Sequence, residues 1–175
     1  MTQYSKRMVV VHWLTFALLI TGWYLGEDLA EATDASKATL AGYFVHALFG
    51  AAILLLTVTR LFFRRKDGVP PPMGQSALDK FAKGIQHIMY LVLFLLPVSG
   101  MTTIISSDAG KALLAGDASL LPKEGGYDHV FAHEVHEIMV TVLIVLVAVH
   151  LLGAIKHQFI TKDGLMERMS LRRKG

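Results

Sequence analysis

The chain has 175 residues, 53% hydrophobic and 18% charged, and a mean hydropathy of +0.48, too apolar for an ordinary soluble domain. It contains no cysteine, which excludes disulfide frameworks, thiolate zinc sites, iron–sulfur clusters and cysteine nucleophiles. A net charge of +3, from 17 basic and 14 acidic side chains, is modest for a nucleic-acid-binding surface, so nucleic acid is not an expected partner. An integral membrane protein remains.

A helix that crosses the hydrocarbon core needs about 20 apolar residues. Four runs qualify, at about 8–25, 40–63, 85–105 and 133–155. The first lacks a small-residue cleavage site close behind a short apolar stretch and carries His12 and Trp13 near its start, so it reads as a retained span and not a signal peptide. Pro70-Pro71-Pro72 and Gly74 separate the second run from the third. Gly110, Gly116, Pro122, Gly125 and Gly126 punctuate the longer loop before the fourth. Pro97 inside the third run removes one helical hydrogen bond and predicts a kink. The expected fold is all-α: a single integral membrane domain over 1–175, built as a four-helix bundle.

The loops sort by charge. Lys6 and Arg7 precede the first run; Arg64, Arg65, Lys66, Lys80 and Lys83 lie between the second and third, with Asp67 and Asp79. Lys156, Lys162, Arg168, Arg172, Arg173 and Lys174 follow the fourth, with Asp163 and Glu167. The other two loops carry Glu27, Asp28, Glu31, Asp34, Asp108, Asp117, Glu124 and Asp128 against only Lys37, Lys111 and Lys123. Basic segments stay on the cytoplasmic side, so both termini are expected in the cytoplasm, in a multi-pass inner-membrane protein.

Ionisable side chains are costly in hydrocarbon, which makes the eight histidines the most informative residues. On the fourth run His136 and His150 are 14 residues apart, about 21 Å along a helix axis and within roughly 40° of one face. The first run enters from the cytoplasm with His12 about one turn inside, the level at which His150 lies near the end of the fourth. His46 starts the second run from the outside, as His136 starts the fourth. Antiparallel order thus pairs His12 with His150 and His46 with His136.

Two histidines facing each other across a bundle, without cysteine or an inward carboxylate pair, suit the axial positions of a haem iron better than a closed zinc or di-iron site. Two levels imply two haems and electron transfer through most of the bilayer. A lone histidine in an apolar helix is ordinarily a hydrogen-bonded core residue, and proton relays or divalent-metal transport also use intramembrane histidines. Four at matched depths favour haem. Arg60 lies 14 residues after His46 and so faces the interior at the level of the inner pair. It could fork onto a haem propionate or snorkel to the headgroups. Gly42, Gly50 and Gly153 could give a flat macrocycle room, or be ordinary packing residues.

His87 begins the third run at the inner level and reads as an interfacial residue, with an alternative ligand or quinone partner as other roles. His157, past His150 on nearly the same face, reads as solvated, with contact to quinone or propionate as the alternative. His129 and His133 stand at the outer mouth beside Glu134 and Glu137. The string His133-Glu134-Val135-His136-Glu137 is not a zinc-protease helix, because that motif needs histidines four apart and position 137 is Glu.

His12-Trp13-Leu14, His46 followed by Arg60-Leu61 and Arg64, Tyr90 with Leu95-Leu96-Pro97-Val98-Ser99-Gly100, His136-Glu137 and His150, and Lys162-Asp163-Gly164 together resemble the bacterial cytochrome b561 family. These are four-helix di-haem b proteins of the inner membrane, related to the cytochrome b subunits of nickel hydrogenases and formate dehydrogenases. The resemblance runs nearly end to end. It implies His12 with His150 on a cytoplasmic-side haem b and His46 with His136 on a periplasmic-side haem b. One departure is that family members often carry a histidine four residues before the helix-three tyrosine, where this chain has Gln86, with His87 one later.

The resemblance also implies exchange of electrons with ubiquinone or ubiquinol. Its periplasmic reactant would be superoxide, as in a superoxide oxidase, or a soluble redox protein. An anchoring cytochrome b subunit of a hydrogenase-like or dehydrogenase complex is a second expectation; a proton or divalent-metal transporter is a third, of another class. Superoxide capture favours a positive outer funnel, for which Lys37, Lys111 and Lys123 would have to cluster among the acids. Glu134, Glu137 and His133 are positional candidates for accepting quinol protons.

Overall fold

The computed structural model describes residues 3–30, 39–122, 127 and 129–172. Of the loop charges weighed above, Glu31, Asp34, Lys37, Lys123, Glu124, Asp128, Arg173 and Lys174 lie outside the described residues, as do Gly125 and Gly126. Four long helices are each apolar enough to cross a membrane: α1 (Lys6–Ala30), α2 (Leu40–Asp67), α3 (Ala77–Ile105) and, after the short α4 (Asp108–Ala115), α5 (Phe131–Ile155).

Each long helix outruns its apolar stretch, most of all α3, which starts at Ala77 where the apolar window starts at 85. The cause is local. Ser76 caps the helix by accepting the Asp79 N–H, while the Asp79 carboxylate accepts the Ser76 N–H in return, so two otherwise orphaned donors are satisfied at once. Thr39 caps α2 by accepting the Gly42 N–H, and Arg64, Arg65 and Lys66 sit in the last turn, where positive charge complements the helix dipole. Gly68 follows at φ +73°, a left-handed value that a side chain adopts only with strain. α3 continues helical through Pro97.

The closely packed helix pairs are α3 with α5, α1 with α2, and α2 with α3. Ile53, Val92, Leu93, Leu143 and Leu146 form the mid-bundle core. Thr15, Thr57 and Thr103 are buried without cost, because each hydroxyl donates to the carbonyl four residues earlier on its own helix. The outward faces carry bare Leu55, Val145 and Leu152, the arrangement expected of a chain solvated by lipid.

Short elements pack at both ends of the bundle. At one, α4 folds back so that Ala109, Ala112 and Leu121 bury against Tyr43. At the other, α5 passes into a π-helical turn (Lys156–Thr161), ended by Lys162 and Gly164 in the left-handed region, and then a short 3-10 turn (Leu165–Met169). That tail is tied to three segments. Arg168 donates to the Pro71 carbonyl, the Tyr4 N–H donates to the Arg168 carbonyl at 3.1 Å, and the Trp13 indole N–H donates to the Met169 carbonyl at 3.1 Å. Arg7 and Ser5 both reach Asp67, joining the start of α1 to the end of α2.

Candidate functional site

The four intramembrane histidines meet two by two. His12 of α1 and His150 of α5 have ring centroids 6.3 Å apart with planes at 72°; His46 of α2 and His136 of α5 are 6.2 Å apart at 79°. Neither helix pair joined in this way, α1 with α5 or α2 with α5, belongs to the close-packed set. The histidines therefore look at each other across the wider seams of the bundle.

The separation has a simple chemical reading. A metal midway between two imidazole nitrogens sits about 2 Å from each, and the ring centres lie roughly 1 Å further out, which puts the centroids about 6 Å apart. Both couples stand at that spacing. Among the described residues no three His, Asp or Glu side chains converge on a point where a bare ion could sit. Two imidazoles alone leave the remaining coordination positions to another donor set, such as the four nitrogens of a porphyrin.

The donor chemistry fits as well. His136 Nδ1 lies 3.0 Å from the Leu96 carbonyl and 3.1 Å from the Ser99 hydroxyl. A carbonyl oxygen only accepts, so Nδ1 carries the hydrogen and Nε2 is left with its lone pair for a metal. His46 Nδ1 is buried without a well-formed hydrogen bond, the Gly22 backbone being the polar group within the ring's reach.

Two glycines hold these rings. A Cβ at Gly100 of α3 would stand 2.8 Å from His136 Cε1, and one at Gly26 of α1 would stand 3.0 Å from His46 Cε1. Gly42, Gly50 and Gly153, near histidines in the sequence, meet other groups or none. At Gly42 a Cβ would meet Leu29 and Thr39, and at Gly50 it would approach Pro97; both are helix-packing positions. At Gly153 it would meet nothing within 4 Å.

Arg60 is half-buried, its Nε sealed from solvent without a partner and its guanidinium carbon 5.5 Å from the centre of the Tyr90 ring. It lies near enough to both His12 and His150 to act on them electrostatically. The side chain thus points inward at the level of that couple. His87 is exposed and donates from Nδ1 to the Lys83 carbonyl of its own helix at 2.8 Å. His157 is half-buried and pairs with Asp163 at 2.6 Å. Burial pushes the Asp163 carboxyl up, but hydrogen bonds from His157 and the Leu165 N–H outweigh it and hold the group below the usual carboxylate range.

At the α4 end, His133 stacks on Tyr127 with centroids 4.6 Å apart and lies 3.4 Å from the Glu137 carboxylate; Glu134 and His129 are exposed. Burial first, and then a hydrogen bond with Tyr43, push the Tyr127 phenol above its usual range. Lys111 pairs with Asp108 at 2.7 Å. The inward faces of Gly26 and Gly100 and the anchoring role of Arg168 went unread in the sequence. Gly100 and Ser99 stood inside a motif already quoted, and that was their only signal.

The chain matches the family model described as prokaryotic cytochrome b561 over residues 3–170. It is 30% identical to cytochrome b562 of Cereibacter sphaeroides, covering 95% of this chain and 94% of the relative. It is 26% identical to cytochrome b561 homolog 1 of Escherichia coli K12, over 99% of this chain and all of the relative. A probable superoxide oxidase CybB of Yersinia pestis is 23% identical over 99% of this chain and 98% of its own length. A four-span bundle with histidines at both ends, matched almost end to end by that model, makes this chain a membrane cytochrome of the prokaryotic cytochrome b561 family.

Proposed function

We infer that the chain is a di-haem b cytochrome that passes single electrons across the inner membrane between ubiquinone or ubiquinol and a periplasmic reactant, superoxide among them. The observation that carries this reading is the pair of cross-bundle imidazole couples, one toward each end of α5. A haem b bound at each couple supplies a one-electron carrier with a potential set by axial ligation and burial.

The chain's own residues do the rest. His12 with His150, and His46 with His136, would hold the two haem irons. Arg60, inward and unpartnered at Nε, offers a fork of N–H donors to a propionate near the first couple. The apolar seams exclude water, so charge at either site is felt strongly by its neighbours. The basic segments Lys6–Arg7, Arg64–Lys66 and the tail orient the bundle with both termini in the cytoplasm, which makes His46 and His136 the periplasmic couple. At that mouth His133 and Glu137, 3.4 Å apart, and exposed Glu134 are positional candidates for proton transfer.

Superoxide is supported by the name of one relative, the probable superoxide oxidase of Yersinia pestis. The test is anaerobic reduction of the purified, haem-loaded protein by ubiquinol and by superoxide, with the two rates compared by visible absorption. Reduction by both supports a superoxide:ubiquinone oxidoreductase. Reduction by quinol alone points to a redox-protein partner, and reduction by neither, or a purified protein that carries no haem, overturns the reading.

A further inference from the structure

The two couples are not held alike. Both histidines of the His46/His136 couple press a ring edge against a glycine of a neighbouring helix, His46 on Gly26 of α1 and His136 on Gly100 of α3. No described glycine of the membrane-spanning helices lies within that reach of His12 or His150. We propose that Gly26 and Gly100, with the Leu96 carbonyl and the Ser99 hydroxyl, are positioning residues that fix the ring orientation of the His46/His136 couple. They make that metal position stiffer than the other. The inference rests on the di-haem reading.

Three observations combine. A methyl at position 100 would lie 2.8 Å from Cε1, 3.1 Å from Nδ1 and 3.6 Å from Nε2 of His136, so the whole ring edge lies on the α3 backbone. Real Cβ contacts do not come that close, so the ring would have to move. It cannot move freely, because Nδ1 is anchored to the Leu96 carbonyl while the Ser99 hydroxyl donates to the same oxygen at 2.8 Å. Rotation that relieves the clash breaks the hydrogen bond that sets the tautomer. At Gly26 the approach is 3.0 Å, longer than at Gly100, and the His46 ring has only a loose contact with the Gly22 backbone in place of the Leu96–Ser99 anchor, so a few tenths of an ångström of movement relieves it.

A graded effect follows. Gly100→Ala should displace one axial ring outright, Gly26→Ala should tilt the opposite ring slightly, and Gly84→Ala, with nothing near its Cβ, should do neither. Ser99→Ala should leave the ring seated but change its hydrogen bonding, and Ser99→Thr should restore it.

The experiment uses the full chain purified with haem. Haem is counted per chain, the two ferric low-spin electron-paramagnetic-resonance signals are recorded, and the midpoint potentials are titrated. His136→Ala and His12→Ala assign each signal to its couple. The expected result for Gly100→Ala is loss of the His46/His136 haem, or a shifted signal from it, with the other signal unmoved. Gly26→Ala shifts the same signal by less. Two haems with unchanged signals and potentials in both glycine variants would overturn the proposal, and so would a change confined to the His12/His150 signal. If Gly100→Ala does not accumulate in membranes, the serine variants decide. A potential that shifts in Ser99→Ala and returns in Ser99→Thr supports the seat; one unmoved in Ser99→Ala overturns it. Fewer than two haems in the unaltered protein would sink the di-haem reading itself, a failure distinct from two haems that ignore the seat.

Discussion

The guanidinium of Arg60 lies over the face of Tyr90, 5.5 Å from the ring centre, although the two residues sit on different helices. An arginine free to reach the headgroups would extend along its own helix toward the membrane surface. This one is turned into the bundle, beside a ring whose negative face attracts it. A fixed positive charge there would favour the reduced state of an iron bound between His12 and His150, as proposed above. Arg60→Leu should therefore lower the midpoint potential of that haem by on the order of tens of millivolts, and Arg60→Lys by less. Potentiometric titration reads both, and an unchanged potential in the leucine variant removes Arg60 from the site.

Each couple is expected to hold one haem independently of the other. His46→Ala or His136→Ala should leave one haem per chain, and His12→Ala or His150→Ala should leave the other, counted by the pyridine haemochrome spectrum. Two haems retained in His136→Ala would refute the assignment.

The mouth near His46 and His136 carries Asp108, Asp117, Glu134 and Glu137 among the described residues, and Lys111 is already engaged by Asp108. Hydrogen bonds from Ser119 hold the Asp117 carboxyl below its ordinary range, so it is charged at neutral pH. An anionic reactant approaches such a face against the field, and salt screens the opposition. Reduction by superoxide should quicken as ionic strength rises. A rate that falls with salt would mean that the lysines form a local cationic funnel.

The tail should respond to acid through Asp163. Its pKa is lower folded than unfolded, so the stabilisation is present above the ordinary carboxylate value near 4 and is lost as pH falls through the folded value. Amide protection over 156–170, taken relative to the intrinsic exchange rate at each pH, should be flat from pH 8 to about 5 and fall only in stronger acid. Protection lost near neutrality would show that Asp163 does not hold the turn.

Arg168 is the buried anchor of the same tail, donating to the Pro71 carbonyl. Arg168→Leu leaves that carbonyl short of a donor and should cost about 2 kcal/mol, read as a lower melting temperature in detergent. Haem content should be unchanged; unaltered melting would make the contact incidental.

Four spans and two histidine levels were legible in the sequence because both depend on distances along single helices. Run length gives the crossing, and a 14-residue interval returns to one face. Gly26 and Gly100 were not legible, since their role depends on how α1 and α3 tilt and turn against α2 and α5, which no interval along one helix records. Gly42, Gly50 and Gly153 drew notice instead because they are neighbours of histidines in sequence. The early start of α3 was hidden for a related reason: Ala77 to Gly84 is too polar for an apolar window, yet the Ser76–Asp79 box starts the helix there. Arg168 counted only as one more tail charge until the fold brought Pro71 to it.

His136 and His150 ride on one uninterrupted rod, Phe131–Ile155. The gap between the two histidine couples is therefore a backbone length, and no side-chain repacking can tune it. Adding or deleting one residue between them would swing one imidazole about 100° away from its counterpart. With a haem at each couple, substitutions would adjust how readily each site holds an electron, while the span the electron covers would be ruled by the pitch of a helix.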